Sequence, residues 1–234
     1  MMSGRPAPRL HDLIADDEVV VAPPRLAAPG HLTVPAAATG LVVFAHGSGS
    51  SRTSPRNRFV ASRLHDAGVA TLLFDLLSDD EARDRANVFD TELLAIRLLV
   101  ATHWACGHPA CSGLDVGYFG ASTGAGAALL AAAEDPSVAA VVSRSGRPDL
   151  AGARLAAVFA PTLLIVGGAD PTVRELNERA ARRLPCEHRV VVIPGATHLF
   201  EEPGALDAAA GYAASWFTHH LGPAERDPWS NREL

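Results

Sequence analysis

Ser122 has the residue type and the sequence surroundings of a nucleophile. It lies in Gly120-Ala121-Ser122-Thr123-Gly124, a G-x-S-x-G pattern between a short apolar segment and an alanine- and leucine-rich one. These segments predict a strand and a helix, and at such a turn the central residue takes a strained backbone conformation that lifts its hydroxyl clear of the sheet. A Cβ at position 120 or 124 would collide where the helix folds back over the strand. The pattern also occurs in ordinary glycine-rich turns, so a nucleophile here needs partners elsewhere in the chain.

Two residues downstream have the types that such a serine needs. A hydroxyl is a poor nucleophile at neutral pH, so it requires a base such as imidazole, whose unperturbed pKa is ~6.5, and the imidazole requires an anion on its other nitrogen. Asp170 follows one predicted strand and His198 follows the last one. Taken alone, Asp170 before Pro171 could be a helix N-cap, and His198 could be a surface residue. The chain order of serine, acid and histidine is nevertheless that of a known catalytic triad, which the three residues together predict.

The loop of residues 45–51, which reads Ala-His-Gly-Ser-Gly-Ser-Ser, predicts one side of an oxyanion hole. Acyl transfer builds negative charge on the carbonyl oxygen, and each preorganised N–H donor is typically worth ~10²–10³ in rate. We expect the backbone N–H groups of Ser48 and Thr123 to be these donors. A dinucleotide-binding fingerprint is a weaker interpretation of the loop, because its third glycine is missing. Asp75, at the end of the next predicted strand, is then a structural or pocket-edge residue.

Arginines follow the same predicted strand ends. Arg52 comes directly after the oxyanion loop, with Arg56 and Arg58 behind it, and Arg144 follows a strand beside that of the nucleophile. Planar guanidinium groups at the mouth of a site can bind a carboxylate or a phosphate, which makes Arg52 and Arg144 candidate substrate-binding residues. Arg144 also has a structural alternative, in which it ties loops together by donating to backbone carbonyls. The structural role is the more common one for an arginine.

The chain offers little for metal or cofactor chemistry. Its cysteines are Cys106, Cys111 and Cys186, and the first two share a loop with His103 and His108. That spacing matches no zinc pattern, so free thiols are the better interpretation. All 20 basic residues are arginine, and the absence of lysine excludes Schiff-base chemistry, pyridoxal phosphate and a P-loop. We therefore expect no cofactor and no metal ion.

Strands and helices that alternate along the chain would position these residues. Apolar runs predict strands at 17–21, 31–35, 41–45, 69–74, 115–119, 138–143, 162–167 and 188–193, the first two as an edge hairpin. Helices are predicted at 56–67, 89–104, 127–134, 172–184 and 205–220. Central strands that are apolar throughout predict a mostly parallel sheet covered on both faces. Ligands bind outside the carboxyl ends of such strands, where the candidate residues lie.

The chain resembles the α/β-hydrolase superfamily, and within it the dienelactone hydrolase-like group. The resemblance covers roughly residues 41–221 and rests on His46-Gly47-Ser48-Gly49-Ser50, Gly120-Ala121-Ser122-Thr123-Gly124, Gly168-Ala169-Asp170 and Gly195-Ala196-Thr197-His198. It implies the α/β-hydrolase fold, with a mostly parallel central sheet, helices on both faces and no large cap domain, since residues 143–161 are too few for one. Enzymes that give the group its name use a cysteine nucleophile, and Ser122 at that position argues against dienelactone as the substrate. Similar domains also occur joined to phosphoribosyltransferase domains, for which 234 residues leave no room beside this fold.

Size and charge bound the remaining possibilities. At 234 residues and 48% hydrophobic composition, we expect one domain at 17–221, after a loose segment at 1–16 and before a flexible tail at 222–234. The net charge of -6 argues against a nucleic-acid partner. The chain has no run of ~18 apolar residues and no signal-peptide pattern, so we expect no membrane insertion and a cytoplasmic location.

Two classes of function remain. The first is a serine hydrolase that cleaves a carboxylic ester, lactone or thioester through an acyl-enzyme on Ser122, with His198 as the base and Asp170 orienting it. The second is a non-catalytic protein of the same fold that binds a ligand or a partner. The complete set of three residues favours the hydrolase, whose partner is a small-molecule ester or related acyl substrate. An acyltransferase or perhydrolase would use the same three residues and stays an alternative.

Overall fold

Eight strands pair edge to edge in one sheet within residues 13–21 and 27–222, the ranges that the computed structural model describes. In chain order they are β1 (Leu13–Val21), β2 (Ala28–Pro35), β3 (Gly40–Ala45), β4 (Ala70–Phe74), β5 (Asp115–Ala121), β6 (Ala140–Arg144), β7 (Thr162–Gly167) and β8 (His188–Ile193). Across the sheet the order is β1-β2-β4-β3-β5-β6-β7-β8. The pairs β1–β2 and β2–β4 are antiparallel, and the other five pairs are parallel. The predicted mostly parallel sheet is confirmed.

The α-helices of the described ranges connect these strands. They are α1 (Pro55–Asp66), α2 (Asp79–Ala82), α3 (Arg85–Phe89), α4 (Thr91–Cys106), α5 (Thr123–Glu134), α6 (Pro171–Ala181) and α7 (Ala205–His220). Two 3-10 helices accompany them at Pro109–Cys111 and Pro148–Ala157. None of the helices within these ranges is long and apolar enough to cross a membrane.

Both faces of the sheet are covered, because successive strand side chains point into two different helical layers. Leu41 and Val43 of β3 belong to the core that is formed with α4, α5 and α6. Val42 and Phe44 belong to the core that is formed with α1 and α7. All six residues of β3 are buried, as expected of a strand with helices on both sides.

The first strand begins earlier than the sequence predicts. Leu13 already pairs with β2, so residues 13–16 of the expected loose segment belong to the sheet. The start of this strand has charged residues and no apolar pattern because it lies at the edge of the sheet. There His31 of β2 contacts Asp16 at 2.8 Å and Glu18 at 3.1 Å across the hairpin. Residues 1–12 of that segment, and residues 223–234 of the expected tail, lie outside the described residues.

The polar stretch before α4 forms two short helices that the sequence analysis did not predict. Ser78 and Glu81 form a capping box at the start of α2, and Asp84 caps α3. Neither α2 nor α3 has a buried residue, so the sequence here shows no apolar period that would predict a helix. The long helix behind them is displaced by two residues at each end from its predicted position at 89–104.

The connection between β6 and β7 is short, as expected for a fold without a large cap domain. It contains the 3-10 helix Pro148–Ala157, which is kinked at Gly152. Ala151 and Leu155 of this helix are buried in the core beside α5. Within residues 27–222 this connection therefore lies against the body of the fold and adds no separate layer over the sheet.

The carboxyl ends of the parallel strands bring the candidate site residues to one edge of the sheet. Ala121, the last residue of β5, pairs with Arg144, the last residue of β6. Gly167 ends β7 opposite Ile193, which ends β8. Ser122 is consequently next to Arg144, and the loops that carry Asp170 and His198 start side by side.

Candidate active site

Ser122 occupies a strained turn between β5 and α5. Its φ of 52° and ψ of -121° are rare for a residue with a side chain, and its hydroxyl makes no capping hydrogen bond to the helix. A Cβ on Gly120 would lie 2.4 Å from the Cα of Ala125, and one on Gly124 would lie 2.1 Å from the carbonyl oxygen of Ala45. The expected collisions are therefore found at both glycines, although at position 124 the obstacle is the end of β3 rather than the strand before the turn.

His198 and Asp170 are paired behind the serine. The Nδ1 atom of His198 lies 2.8 Å from Oδ2 of Asp170. Since an ionised carboxylate only accepts hydrogen bonds, Nδ1 carries the hydrogen and Nε2 of a neutral imidazole is left to accept a proton. The loops are fixed to each other, because the N–H of Ala169 donates to the carbonyl of Ala196 at 2.9 Å. The side chain of Asp170 is only 15% exposed, while that of His198 is 39% exposed.

Asp170 is also the N-cap of α6. The N–H of Val173 donates to its Oδ1 atom at 3.2 Å, while Oδ2 serves His198. The N-cap interpretation of Asp170 is therefore confirmed, and the same carboxylate also contacts His198. The helix fixes the carboxylate, and the carboxylate fixes the imidazole.

The loop between β3 and α1 packs against the nucleophile turn. His46 anchors it, because Nε2 accepts from the N–H of Leu76 at 3.1 Å and Nδ1 lies 3.1 Å from the carbonyl of Gly47. Burial lowers the pKa of His46, although the Gly47 carbonyl and Asp75 oppose this effect. The ring is thus neutral at pH 7 and serves as a structural link between two loops.

The residues that carry the two predicted oxyanion donors contact each other, and the N–H of Ser48 is already engaged in that contact. The N–H of Ser48 donates to Oγ1 of Thr123 at 3.0 Å. The N–H of Thr123 is at the first position of α5, where a helix offers no internal acceptor. A substrate oxygen at this place would have to share the Ser48 N–H with the Thr123 hydroxyl or displace that hydroxyl.

Ser122 and His198 open onto one small cavity. Its volume is about 250 Å³, and its lining is rich in hydroxyl and guanidinium groups. Besides Ser122 and His198, the polar side chains that line it are Ser48, Ser50, Ser54, Arg56, Asn57, Arg144 and Ser145. Another cavity, of about 420 Å³, adjoins the same loop and has a more apolar lining from α2, α3 and α4.

The structure separates the two arginines that the sequence singled out. Arg52 is held by Asp75, which accepts from its backbone N–H and from Nη1, both at 2.7 Å, and Arg52 lines a different cavity. The structure thus assigns Asp75 the structural role expected of it and does not bring Arg52 to Ser122. The sequence alone does not indicate the direction of the Arg52 side chain, because that direction depends on the path of the loop after Ser51.

Arg144 lines the Ser122 cavity and is 6% exposed. Burial, with a smaller effect of the charge on Arg56, lowers the pKa of Arg144 to about 10, so it is still a cation at pH 7. Its guanidinium carbon lies 5.8 Å from the centroid of the Phe200 ring. Within residues 13–21 and 27–222, Nε and Nη1 have no hydrogen-bond partner. The loop-tying bonds of the structural alternative are therefore absent at these two atoms.

Ser145 and Arg56 also line the cavity, although the sequence analysis did not assign them to the site. Ser145 has a φ of 44° and is 2% exposed. Only its place directly after a strand end could have indicated it, because a left-handed serine has no sequence signature. Arg56 lies in the first turn of α1, whose N-cap is Ser54.

The cysteines lie away from this site. Cys106 and Cys111 are free thiols, the first exposed and the second buried, and burial raises the pKa of Cys111 to about 11. Across the part of the chain that the structure describes, no three His, Cys, Asp or Glu side chains cluster closely enough to hold a metal ion.

Solved structures share this architecture. The crystal structure of dienelactone hydrolase from Anabaena variabilis has a TM-score of 0.86 and 54% sequence identity, and the match covers 90% of this chain and 100% of that chain. Est1E from Butyrivibrio proteoclasticus has a TM-score of 0.69 and 17% identity over 88% of this chain and 99% of its own. The second likeness is one of fold alone.

Sequence relatives include a Mycobacterium tuberculosis protein that carries the provisional name phosphoribosyl transferase. It is 61% identical over 213 residues, which are 90% of this chain and 48% of that protein. The chain spans about half the length of this relative. Residues 29–220 match the model of the dienelactone hydrolase family. The chain therefore belongs to the dienelactone hydrolase family, within the α/β-hydrolase superfamily.

Proposed function

We propose that this protein is a serine-dependent hydrolase of carboxylic esters, lactones or thioesters. The observation that carries the proposal is the convergence of three groups at one edge of the sheet. Ser122 is in a strained turn, His198 lines the same cavity of about 250 Å³, and Asp170 lies 2.8 Å from the far nitrogen of that histidine. Family membership supports hydrolysis as the type of reaction.

The geometry supports a mechanism with an acyl-enzyme. Oγ of Ser122 attacks the substrate carbonyl carbon while Nε2 of His198 takes the hydroxyl proton. The imidazolium that forms is stabilised by Asp170 through Nδ1. When the tetrahedral intermediate collapses, His198 gives its proton to the leaving alcohol or thiol. A water molecule, deprotonated by the same nitrogen, then attacks the acyl group and releases the acid and Ser122.

The oxyanion of the intermediate would lie at the N-terminus of α5. There the N–H of Thr123 has no helical acceptor, and the dipole of a 12-residue helix favours negative charge. We propose that the oxyanion also accepts a hydrogen bond from the Ser48 N–H. It either replaces Oγ1 of Thr123 as the acceptor or shares the N–H with it. The Thr123 hydroxyl would then hold the loop in place before the charge appears, which is what preorganisation requires.

The names of the relatives do not all agree with this proposal. Phosphoribosyl transfer is not proposed, because the region shared with the M. tuberculosis protein is the one that matches the dienelactone hydrolase family model. Hydrolysis of a lactone, which the name of the Anabaena variabilis relative suggests, falls within the proposed substrate class.

The test is turnover of chromogenic acyl esters of rising chain length by the wild type and by Ser122→Ala. We expect kcat/KM of the variant to fall by about 10³ or more, because the acyl-enzyme can no longer form. Ser62→Ala, which removes an exposed hydroxyl on α1, is the matched control and should keep wild-type turnover. Equal turnover by Ser122→Ala and the wild type would refute the proposal and favour the binding-protein alternative.

A further inference from the structure

Asn177 is a fully buried polar side chain that joins a helix to a loop at the carboxyl edge of the sheet. It belongs to α6, and 0% of it is exposed to solvent. Nδ2 donates to the carbonyl oxygen of Gly146 at 2.9 Å and to that of Val173 at 2.8 Å. Because a carbonyl oxygen only accepts, the amide nitrogen and not the amide oxygen must face both. The side chain therefore connects α6 with the segment of residues 144–147, at the end of β6.

The segment of residues 144–147 holds the main chain of the nucleophile on both sides. The N–H of Ser122 donates to the carbonyl of Arg144 at 3.2 Å, and the carbonyl of Ser122 accepts from the N–H of Arg147 at 3.0 Å. Ser122 has a φ of 52°, a conformation that persists only where its surroundings impose it. Gly146 lies between these two hydrogen bonds in the chain. A shift of its carbonyl would therefore be transmitted to Ser122.

The helix that contains Asn177 also carries the candidate acid. Asp170 is the N-cap of α6, and its Oδ1 atom accepts from the N–H of Val173 at 3.2 Å. The carbonyl of Val173 is in turn one of the two acceptors of Asn177. Oδ2 of Asp170 lies 2.8 Å from Nδ1 of His198. One amide group thus links the turn that fixes Asp170 and His198 to the segment that fixes Ser122.

The amide of Asn177 is poorly suited to a role in stability alone. Oδ1 is buried and has no hydrogen-bond partner in the part of the chain that the structure describes. A buried acceptor without a partner destabilises the folded state, which offsets part of what the Nδ2 bonds contribute. Since no part of Asn177 is exposed, the side chain also cannot contact a substrate. The function that remains is to hold two neighbouring connections at a fixed distance.

We propose that Asn177 is a positioning residue for the serine and its base. By joining α6 to the segment of residues 144–147, it fixes Ser122 relative to the Asp170–His198 pair. This inference rests on the proposed function of Ser122 and adds to it a residue outside the cavity. Proton transfer from Oγ of Ser122 to Nε2 of His198 requires hydrogen-bond reach, and a misplacement of about 1 Å can lower a rate by about 10²-fold. Without the Asn177 bonds we expect a slower chemical step and unchanged substrate binding.

Turnover of a chromogenic ester by Asn177→Leu tests the proposal, because leucine has a similar volume and makes neither hydrogen bond. We expect kcat to fall by about 10- to 100-fold and KM to change by less than about 3-fold. The assay is run well below the Tm of each variant, so that a smaller folded fraction does not contribute to the loss.

Thr102→Val is the matched control. Thr102 is buried in α4, where its Oγ1 atom donates to the carbonyl of Leu98 at 2.9 Å and lies 2.9 Å from the Tyr118 hydroxyl. Like Asn177, it bonds to the carbonyl four residues earlier and to a neighbouring element, but it does not lie at the Ser122 cavity. We expect its kcat to stay within about 2-fold of the wild type, even if its Tm falls as much as that of Asn177→Leu.

A second measurement uses the His198→Ala background. A residue that aligns Ser122 with His198 has nothing to align once the imidazole is removed. Asn177→Leu should therefore lower the residual turnover there by less than about 2-fold. A general loss of structure would instead lower turnover by the same factor in both backgrounds.

Wild-type kcat in Asn177→Leu, an equal loss in Thr102→Val, or an undiminished loss in the His198→Ala background would overturn the positioning role and leave the hydrolase proposal intact. If the wild type cleaves no ester of the panel, or Ser122→Ala matches it, the proposed function fails together with the inference. If Asn177→Leu does not fold, Asn177→Ala removes the same donor without filling the space, and the same outcomes apply to it.

Discussion

At Asp170 a single carboxylate connects helix capping to the orientation of the His198 imidazole. Oδ1 accepts from the N–H of Val173, and Oδ2 lies 2.8 Å from Nδ1 of His198. From the sequence, helix capping and orientation of His198 are alternative interpretations, since either one explains an aspartate after a strand. In the structure the first role makes the second one rigid, because a capped carboxylate cannot rotate freely.

The three candidate triad residues could be placed from their types and order in the sequence, whereas the surroundings of the two arginines could not. Ser122, Asp170 and His198 each follow a strand, so a correct strand assignment brings them to one edge. The directions of Arg52 and Arg144 depend on loop paths and on side-chain packing. No periodic pattern in the sequence predicts loop paths or side-chain packing. In the structure Arg52 and Arg144 line two different cavities.

Arg144 is expected to lower the stability of the folded protein. Its buried charge has no carboxylate partner among the described residues, so Arg144→Met removes a desolvation cost and keeps an unbranched, though shorter, side chain. We predict a gain of about 1 kcal/mol or more in the free energy of unfolding, and a rise in Tm of about 2–4 °C for a chain of this size. Thermal unfolding at pH 7 measures it.

The control for that substitution is Arg58→Met, which changes an exposed arginine and should alter stability by less than about 0.5 kcal/mol. A fall in Tm with Arg144→Met would mean that the guanidinium serves packing. It would then support the structural role that the sequence analysis considered.

Among the elements, the turn around Ser122 and the loop after β3 form one packed unit. The N–H of Ser48 donates to Oγ1 of Thr123, and Gly124 touches the end of β3 so closely that no side chain fits there. The position of the nucleophile therefore depends on contacts between two connections as well as on its own strained turn.

Gly124→Ala tests this packing. The added Cβ would lie 2.1 Å from the carbonyl oxygen of Ala45 and 2.5 Å from that of His46, and neither backbone atom can move aside at low cost. We predict a loss of about 2 kcal/mol or more in the free energy of unfolding, seen as a fall in Tm of about 4–8 °C.

Gly211→Ala is the matched control, because Gly211 lies in α7 with nothing within 4 Å of an added Cβ. Alanine is favoured over glycine inside a helix by up to about 1 kcal/mol, so Tm should hold or rise. Equal effects of the two substitutions would show that Gly124 is not in a close contact.

Strands and helices with a buried face were predicted correctly. The start of the edge strand and the short exposed helices were not predicted. β3 is buried on both faces and reads as a continuous apolar run. The first residues of β1, at 13–16, lie outside the strand predicted at 17–21, because Asp16 contacts His31 across the hairpin instead of packing in the core. The short helices α2 and α3 were not predicted because capping side chains define them and no buried face does.

In the molecule as a whole, the parallel strands and their loops gather residues from distant parts of the sequence at one edge. The alternation of apolar strands and helices was enough to predict the sheet and its two helical layers. The size of the cavity could not be predicted, nor could the groups in it that have no hydrogen-bond partner among the described residues, because both arise from packing between loops.

The central claim is that Ser122 becomes covalently acylated with His198 as its base, and a fluorophosphonate probe tests it most directly. Because the chain lacks lysine, trypsin releases residues 98–144 as one peptide that contains Ser122 and excludes Ser145. We predict one adduct per chain, located on Ser122 by fragmentation of this peptide. Labelling should be slower by about 10³ or more in His198→Ala. An adduct on another residue, or equal labelling rates in His198→Ala and the wild type, would contradict the account.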